Sequence, residues 1–316
     1  MAARSLLQAK GGRPAVAALL LLCLLLALGA MRSDLFPDSV SNLLPPMERE
    51  ALPFALLAAA AASFALLRKM KWLGGRQRWS SIAIGLGLFV LPAVLVSLSQ
   101  SRVSSFTRVV LFSLTPVFAV VFEPYVGGAA VEAKGGLLAA LVAVGGTLCV
   151  FPVEVPGSIE AGGAFAGVIA AAACVAAANC YAVRLATTLP RTALPPITAI
   201  ACASAALGLA TASALTDGIV LRWSAVRSEF LWSALLAFPG LLLLFWLLPR
   251  MTAPRMTTRF LLSPLIAILI GMALDRPSVG LRTWAGLLLI AAGAGWLLFV
   301  PGEEPNPEPS SLSLHR

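Results

Sequence analysis

The sequence predicts an all-α integral membrane protein of ten transmembrane helices, arranged as two inverted five-helix repeats. The first observation is composition: of 316 residues, 59% are hydrophobic and 12% are charged, and the mean hydropathy is +0.92. A soluble domain has about 25% charged residues, so this chain cannot hide its apolar surface from water. The second observation is a series of apolar runs near the roughly 20 residues that cross a bilayer. The third is that short motifs recur in both halves in the same order.

Ten apolar runs follow a short basic N-terminus, residues 1–13. The predicted spans are Pro14–Ala30, Ala51–Leu67, Ser81–Leu98, Val109–Val126, Gly135–Phe151, Gly162–Ala182, Pro195–Leu215, Phe230–Leu248, Phe260–Leu274 and Thr283–Val300. The first repeat is assigned to residues 14–152, a linker to 153–161 and the second repeat to 162–301. Residues 302–316 are rich in Pro, Glu and Ser, which predicts a disordered cytoplasmic tail.

The first apolar run has a second interpretation. Ala27–Ala30 resembles a cleavage site, so Pro14–Ala30 could be a secretory signal peptide. We favour an uncleaved first span, because a multi-spanning protein follows it.

Two short segments define the proposed repeat. Leu114–Ala119 and Leu262–Ala267 each place a hydroxyl residue and a proline, Thr115-Pro116 and Ser263-Pro264, inside an apolar run. Proline frees a backbone carbonyl one turn earlier and kinks the helix. In a bilayer such a break is tolerated only where protein or a wet cavity satisfies the freed groups. We therefore expect broken helices at both places, with the two hydroxyls bonding their own helix backbone.

Other matches keep the same register. Pro92 precedes Pro116 by 24 positions, and Pro239 precedes Pro264 by 25. The fifth and tenth spans open with the same Gly-Leu-Leu triplet, at residues 136–138 and 286–288. A repeat with an odd number of spans must re-enter the membrane upside down, which predicts an inverted duplication.

The distribution of basic residues predicts the orientation. With the N-terminus in the cytoplasm, the cytoplasmic segments hold 15 Lys and Arg residues and the opposite segments hold 8. Basic residues favour the cytoplasmic side, so both termini are predicted to be cytoplasmic, in the cell (inner or plasma) membrane. The net charge of +9 lies in short clusters between apolar runs, so no nucleic-acid binding is expected.

These residues carry a family resemblance. The chain resembles EamA-type transporters of the drug/metabolite transporter superfamily, which have ten spans as two five-helix repeats. Their fourth and ninth spans carry runs similar to Leu114–Ala119 and Leu262–Ala267, and a glycine-opened last helix follows, as at Gly286–Gly293. The resemblance implies export of small organic metabolites, and it implies helices that serve as scaffold or as homodimer contacts. The family usually has Gly-Glu after the fourth and ninth spans, whereas this chain reads Asp275-Arg276-Pro277 after the ninth.

Glu123 is the one carboxylate that the sequence places within a span. A charge there is costly and marks a functional candidate, here for proton coupling. The alternative is that Glu123-Pro124 simply marks the end of the helix at the interface.

Four further polar residues are candidates. Arg108 and Arg259 precede the motif prolines and could attract an anionic group into a central cavity. We prefer the interpretation that both extend to the interface from opposite ends of their helices. Asn179 and Gln100 are candidate polar groups of the cavity, and either could instead bridge neighbouring helices.

The sequence favours a secondary active transporter over an enzyme. Alternating access would use a site near the midplane, and no Gly-x-x-x-x-Gly-Lys loop for ATP is present. The five cysteines lack metal-ligand spacing and the only histidine is His315, so no metal or cofactor is expected. Expected partners are a small-molecule metabolite and membrane lipid. A membrane enzyme acting on lipid-linked substrates and a non-transporting scaffold remain as alternatives.

Overall fold

The computed structural model describes residues 2–35, 44–127, 133–216, 218, 223–275 and 280–299. The predicted tail 302–316, and Arg276-Pro277 after the ninth span, lie outside these ranges. Ten helical segments fill most of the described chain. They are α1 (Gly12–Ala30), α2 (Pro46–Leu67), α3 (Gly75–Ser99), α4 (Ser105–Val126), α5 (Gly135–Val150), α6 (Ile159–Thr188), α7 (Arg191–Thr216), α8 (Ala225–Leu247), α9 (Ala253–Leu274) and α10 (Leu281–Phe299).

Nine of these described helices are long and apolar enough to cross a membrane, as a multi-pass membrane protein requires. The exception is α5, whose apolar stretch is shorter. Most helices extend beyond the predicted spans, because charged and polar residues continue the helix past the apolar pattern. The clearest case is α8, where the helix already begins at Trp223 rather than Phe230 and therefore includes Glu229.

The helices pack in pairs across the two halves of the chain. The two most extensive pairings join α2 to α7 and α5 to α10. Helix α3 packs against α6 and α7, while α8 packs against α1 and α2. Helix α4 packs on α6, α9 packs on α1, and α4 and α9 also touch each other. The core lies where helices from both halves meet.

Local π-helical turns precede two of the predicted prolines. Leu86–Val90 ends just before Pro92 in α3, and Ser233–Ala237 ends just before Pro239 in α8. Proline cannot donate the usual backbone hydrogen bond, and a wider turn is one way in which a helix accommodates that loss. The two prolines thus occupy equivalent local structures.

Helix α4 is interrupted just before Pro116, as predicted. The helix Ser105–Phe112 ends at Ser113 and Leu114, and Thr115–Phe122 resumes with Pro116 in its first turn, where no N–H is needed. The Thr115 hydroxyl donates to the Phe112 carbonyl at 2.6 Å, which satisfies a backbone group at the break. Ser113 likewise donates to the Val110 carbonyl at 2.6 Å.

The break in α9 lies elsewhere than predicted. The short helix Ala253–Thr257 ends at Thr258, and Arg259–Asp275 then continues through Pro264. Two hydroxyls explain the position, because Thr257 donates to the Pro254 carbonyl and Thr258 to the Arg255 carbonyl. The prediction that Ser263-Pro264 interrupts this helix is wrong: one lost hydrogen bond at a proline is tolerated within a membrane helix.

Glycines allow α5 and α10 to touch along their backbones. A Cβ added at Gly146 would lie 2.7 Å from the Gly286 carbonyl oxygen, and one at Gly293 would lie 2.6 Å from the Ala139 carbonyl oxygen. A Cβ at Gly145 or Gly295 would meet nothing within 4 Å. Of these four glycines, Gly146 and Gly293 therefore form the contact, and Gly145 and Gly295 do not.

This geometry predicts that Gly146→Ala separates α5 from α10. We expect a loss of about 1–3 kcal/mol in the free energy of unfolding, because the new methyl meets backbone atoms that cannot yield. The matched control is Gly145→Ala, where the methyl enters open space and the helix gains about 0.5–1 kcal/mol from the removed glycine. Reversible unfolding in mixed micelles measures both. Equal effects of the two substitutions would contradict the packing.

Candidate functional site

A cavity of about 410 Å³ opens between α1, α3, α4 and α9. Helices α4 and α9 are the two interrupted helices, so the cavity lies beside both breaks. Its lining residues are Leu26, Val96, Ser105, Arg108, Val109, Phe112, Arg259, Phe260, Ser263 and Pro264. The walls are almost wholly apolar, and two arginines and two serines are the polar residues among the lining. Pockets of this size hold small organic ligands.

Arg259 is buried in the bundle, with 6% of its surface exposed. Its Nη1 donates to the Met256 carbonyl at 3.1 Å, and its guanidinium carbon lies 4.7 Å from the centroid of the Phe260 ring. The preferred interpretation from the sequence, a side chain that extends to the interface, is wrong for Arg259. The break at Thr258 begins a new helix at this residue, and the side chain turns into the protein.

Asn179 holds the Arg259 guanidinium in place. Its Oδ1 accepts from both Nη1 and Nη2 of Arg259 at 3.3 Å, and its Nδ2 donates to the Val175 carbonyl at 2.8 Å. Asn179 is fully buried on α6. Asn179 does not line the cavity. It takes the alternative role considered from the sequence, a bridge between neighbouring helices, here α6 and α9.

Arg108 enters the same cavity from α4. Its Nη2 donates to the Ser105 hydroxyl at 3.0 Å, on the same face of the helix. Its Nε is buried and has no hydrogen-bond partner among the residues that the structure describes. The cavity thus brings together two arginines that are far apart in sequence.

Glu123 lies apart from the cavity lining, in the second part of α4. It is 3% exposed, and its Oε2 has no hydrogen-bond partner within the described ranges. The Cys180 thiol of α6 interacts with the Glu123 carboxyl and also lies 3.6 Å from the Ala119 carbonyl oxygen. A π-helical turn, Glu123–Gly127, begins at this residue. Glu123 is therefore buried between α4 and α6, as expected for a residue within a span.

The other candidates take different places. Gln100 is exposed at the end of α3 and does not line the cavity. Thr115, Pro116 and Pro92 are buried within the bundle and Pro239 is half-buried, so these residues shape the helices rather than the cavity wall. Ser263 makes no side-chain hydrogen bond in the described structure and faces the cavity, contrary to the predicted backbone bond. In the described residues no group of three or more His, Cys, Asp or Glu could hold a metal ion.

One buried ion pair was missed from the sequence. Arg32, just after α1, contacts Glu229 of α8 through two bonds, Nη1 to Oε2 at 2.6 Å and Nη2 to Oε1 at 3.1 Å. Glu229 is 1% exposed, and Arg32 also lies 4.9 Å from the centroid of the Trp232 ring. The predicted eighth span began one residue after Glu229, so its carboxylate was assigned to a loop. The helical spacing of Trp223, Val226 and Phe230 is the signal that could have extended the helix.

Comparison with known proteins identifies the fold. No family model matches the sequence, and no curated protein matches it either. A solved crystal structure, described only as that of a protein, superposes with a TM-score of 0.67 at 17% sequence identity. The match covers 90% of this chain and 99% of the other. At this identity the likeness shows that the two chains share a fold.

The Arg32–Glu229 ion pair predicts that two arginine substitutions lower the stability of the protein by different amounts. Arg32→Ala leaves Glu229 as a buried, unpaired charge, and we expect about 3–5 kcal/mol of destabilisation. Arg102→Ala is the matched control, because its pair with Glu160 is exposed and should contribute about 0–1 kcal/mol. Thermal unfolding in detergent measures the difference. If both substitutions lower the melting temperature equally, the Arg32–Glu229 pair does not hold α1 to α8.

Proposed function

We propose that this protein is a secondary active transporter that exports small organic metabolites by alternating access, and that it has no enzymatic activity. The observation that carries the proposal is the cavity between α4 and α9. It lies beside the two helices that the chain interrupts, and two arginines stand among its largely apolar lining residues. Transporters of this kind bind substrate near the midplane, between repeats with broken helices.

The helix pairings support an internal duplication of five spans. In such a duplication each helix of one half corresponds to a helix of the other: α3 to α8, α4 to α9, α5 to α10 and α6 to α1. The contacts α3–α6, α4–α6 and α4–α5 then correspond to α8–α1, α9–α1 and α9–α10. All of these pairs are in contact. The π turns before Pro92 and Pro239 repeat as well. We propose ten spans as two inverted EamA-like repeats, with α5 as the fifth.

The starts of α4 and α9 repeat in register. Ser104 and Thr252 precede these helices with extended backbone, each 12 residues before the motif proline. In both helices the interruption that follows is held by hydroxyl-to-carbonyl bonds three residues apart. Such bonds satisfy the backbone without joining the flanking segments rigidly. The two breaks are therefore suited to act as hinges when the cavity changes its side of access.

The proposed orientation places both termini in the cytoplasm of a cell bearing this protein in its inner or plasma membrane. Ser105 and Arg108 then lie toward the external end of the cavity, because α4 runs inward. Glu123 lies toward the cytoplasmic end of α4. Its burial, with no partner for Oε2 among the described residues, supports a role as the proton-carrying group, since an ionisable group inside a span is costly and marks a functional site.

Flux through reconstituted vesicles tests the proposal. Matched naphthalene probes supply the three charge types: the 2-sulfonate, the 2-sulfonamide and the trimethyl-2-naphthylammonium ion. We expect protein-dependent movement of at least one probe, accelerated by an imposed pH gradient. Protein that binds a probe but moves none of them in either direction would contradict transport and favour the scaffold alternative.

Glu123→Gln tests coupling separately. Glutamine keeps the shape of the protonated carboxyl but cannot release a proton, so we expect probe exchange to continue while acceleration by the pH gradient is lost. Glu160→Gln is the control, because Glu160 is exposed at the start of α6. Unchanged dependence on the gradient in the Glu123 variant would remove the coupling role.

A further inference from the structure

We propose that the cavity binds an amphipathic organic anion, whose charged group lies between Arg108 and Arg259 and whose apolar body lies against Phe112 and Phe260. The identification of this ligand as the transported substrate rests on the proposed function; the binding itself does not. The ligand could come from water or be the headgroup of an anionic lipid, and the recognition chemistry is the same for both.

The charge of the lining residues is the first reason to expect an anionic ligand. Two of its lining residues are arginines, and none of the lining residues that the structure describes is acidic. Within the described part of the chain, the contacts of Arg259 are with neutral groups: the Asn179 amide, the Met256 carbonyl and the Phe260 ring. Buried charges are normally paired, because the loss of hydration is costly. An anion in the cavity would supply the missing charge.

The same chain contains an arginine whose charge is matched by a buried carboxylate. Arg32 is matched by Glu229 through two hydrogen bonds. Among the residues that the structure describes, none gives Arg259 such a carboxylate, and the Asn179 side chain that faces it is the neutral isostere of aspartate. An amide can orient the guanidinium through Oδ1 without neutralising it. Asn179 is therefore a positioning residue that leaves the charge of Arg259 available.

The remaining lining residues specify the body of the ligand. The Phe112 and Phe260 rings, from α4 and α9, are stacked with centroids 5.9 Å apart. Leu26 and Val109 add aliphatic surface, and Ser105 and Ser263 add hydroxyls. A small inorganic anion would leave these apolar walls in contact with water. A flat organic anion fills them while its charged group meets the arginines.

Binding to the full-length protein in nanodiscs of zwitterionic lipid tests the proposal. The probes are naphthalene-2-sulfonate and its neutral sulfonamide, measured by titration calorimetry. We expect saturable binding of the sulfonate, with the sulfonamide at least about tenfold weaker, because it lacks the charge-assisted bonds. Equal affinities, or no saturable binding of the sulfonate, would overturn the proposal.

Substitutions of the lining residues and of Asn179 test whether the sulfonate binds in this cavity. Arg108→Gln and Arg259→Gln should each weaken sulfonate binding about tenfold or more, whereas Arg78→Gln, at an exposed position in α3, should leave it unchanged. Asn179→Asp is the sharpest variant. It retains Arg259 and adds an internal carboxylate, so we expect a folded, no less stable protein whose sulfonate affinity falls about tenfold or more. Wild-type sulfonate affinity in folded forms of the Arg108, Arg259 and Asn179 variants would overturn the assignment.

Two further measurements distinguish a lipid ligand from a water-soluble one, and binding from transport. If phosphatidylglycerol in the nanodisc displaces the sulfonate, the occupant is a lipid headgroup; if it does not, the occupant is a water-soluble anion. Both results support the site. Sulfonate binding without flux would preserve this inference and contradict transport, while flux of the ammonium probe without sulfonate binding would do the reverse.

Discussion

The contact between Arg259 and Asn179 is the interaction on which this structure depends most. It places a cation inside an apolar bundle, joins α6 of one half to α9 of the other, and borders the cavity. Removal of either partner would leave a buried polar group unsatisfied, at a cost of about 1–3 kcal/mol or more. No carboxylate of the described residues balances this charge, which points to a use for the charge rather than to stability alone.

The backbone carbonyls freed at the breaks in α4 and α9 are satisfied by nearby hydroxyl groups. A membrane interior offers no water to unpaired backbone groups, so an interrupted helix needs its own donors. Thr115 supplies one in α4, and Thr257 and Thr258 supply them in α9. Elsewhere the bundle is held by close contacts, as at Gly146 and Gly293 between α5 and α10. This combination of tight helix pairs and interrupted helices is consistent with the alternating access that we propose.

The sequence predicted the helices well because hydropathy over about 20 residues depends only on composition. The position of Glu229 could not be read in this way, since a charged residue at the end of a span looks like a loop until its partner Arg32 is known. The break at Thr258 was also hidden, because proline is a stronger local signal than a pair of threonines. The burial of Arg259 depends on Asn179, which lies 80 positions earlier in the chain. Pairings of that kind are set by tertiary packing, and local pattern does not contain them.

The most direct test of the central claim is the side from which the cavity can be reached. Ser263→Cys, in a chain whose five native cysteines are replaced, puts a thiol on the cavity wall. Membrane-impermeant thiol reagents, added to right-side-out and inside-out vesicles, then report access from each side. Alternating access predicts labelling from both sides, with naphthalene-2-sulfonate slowing it. Labelling from one side alone, whatever ligand is present, would contradict the account.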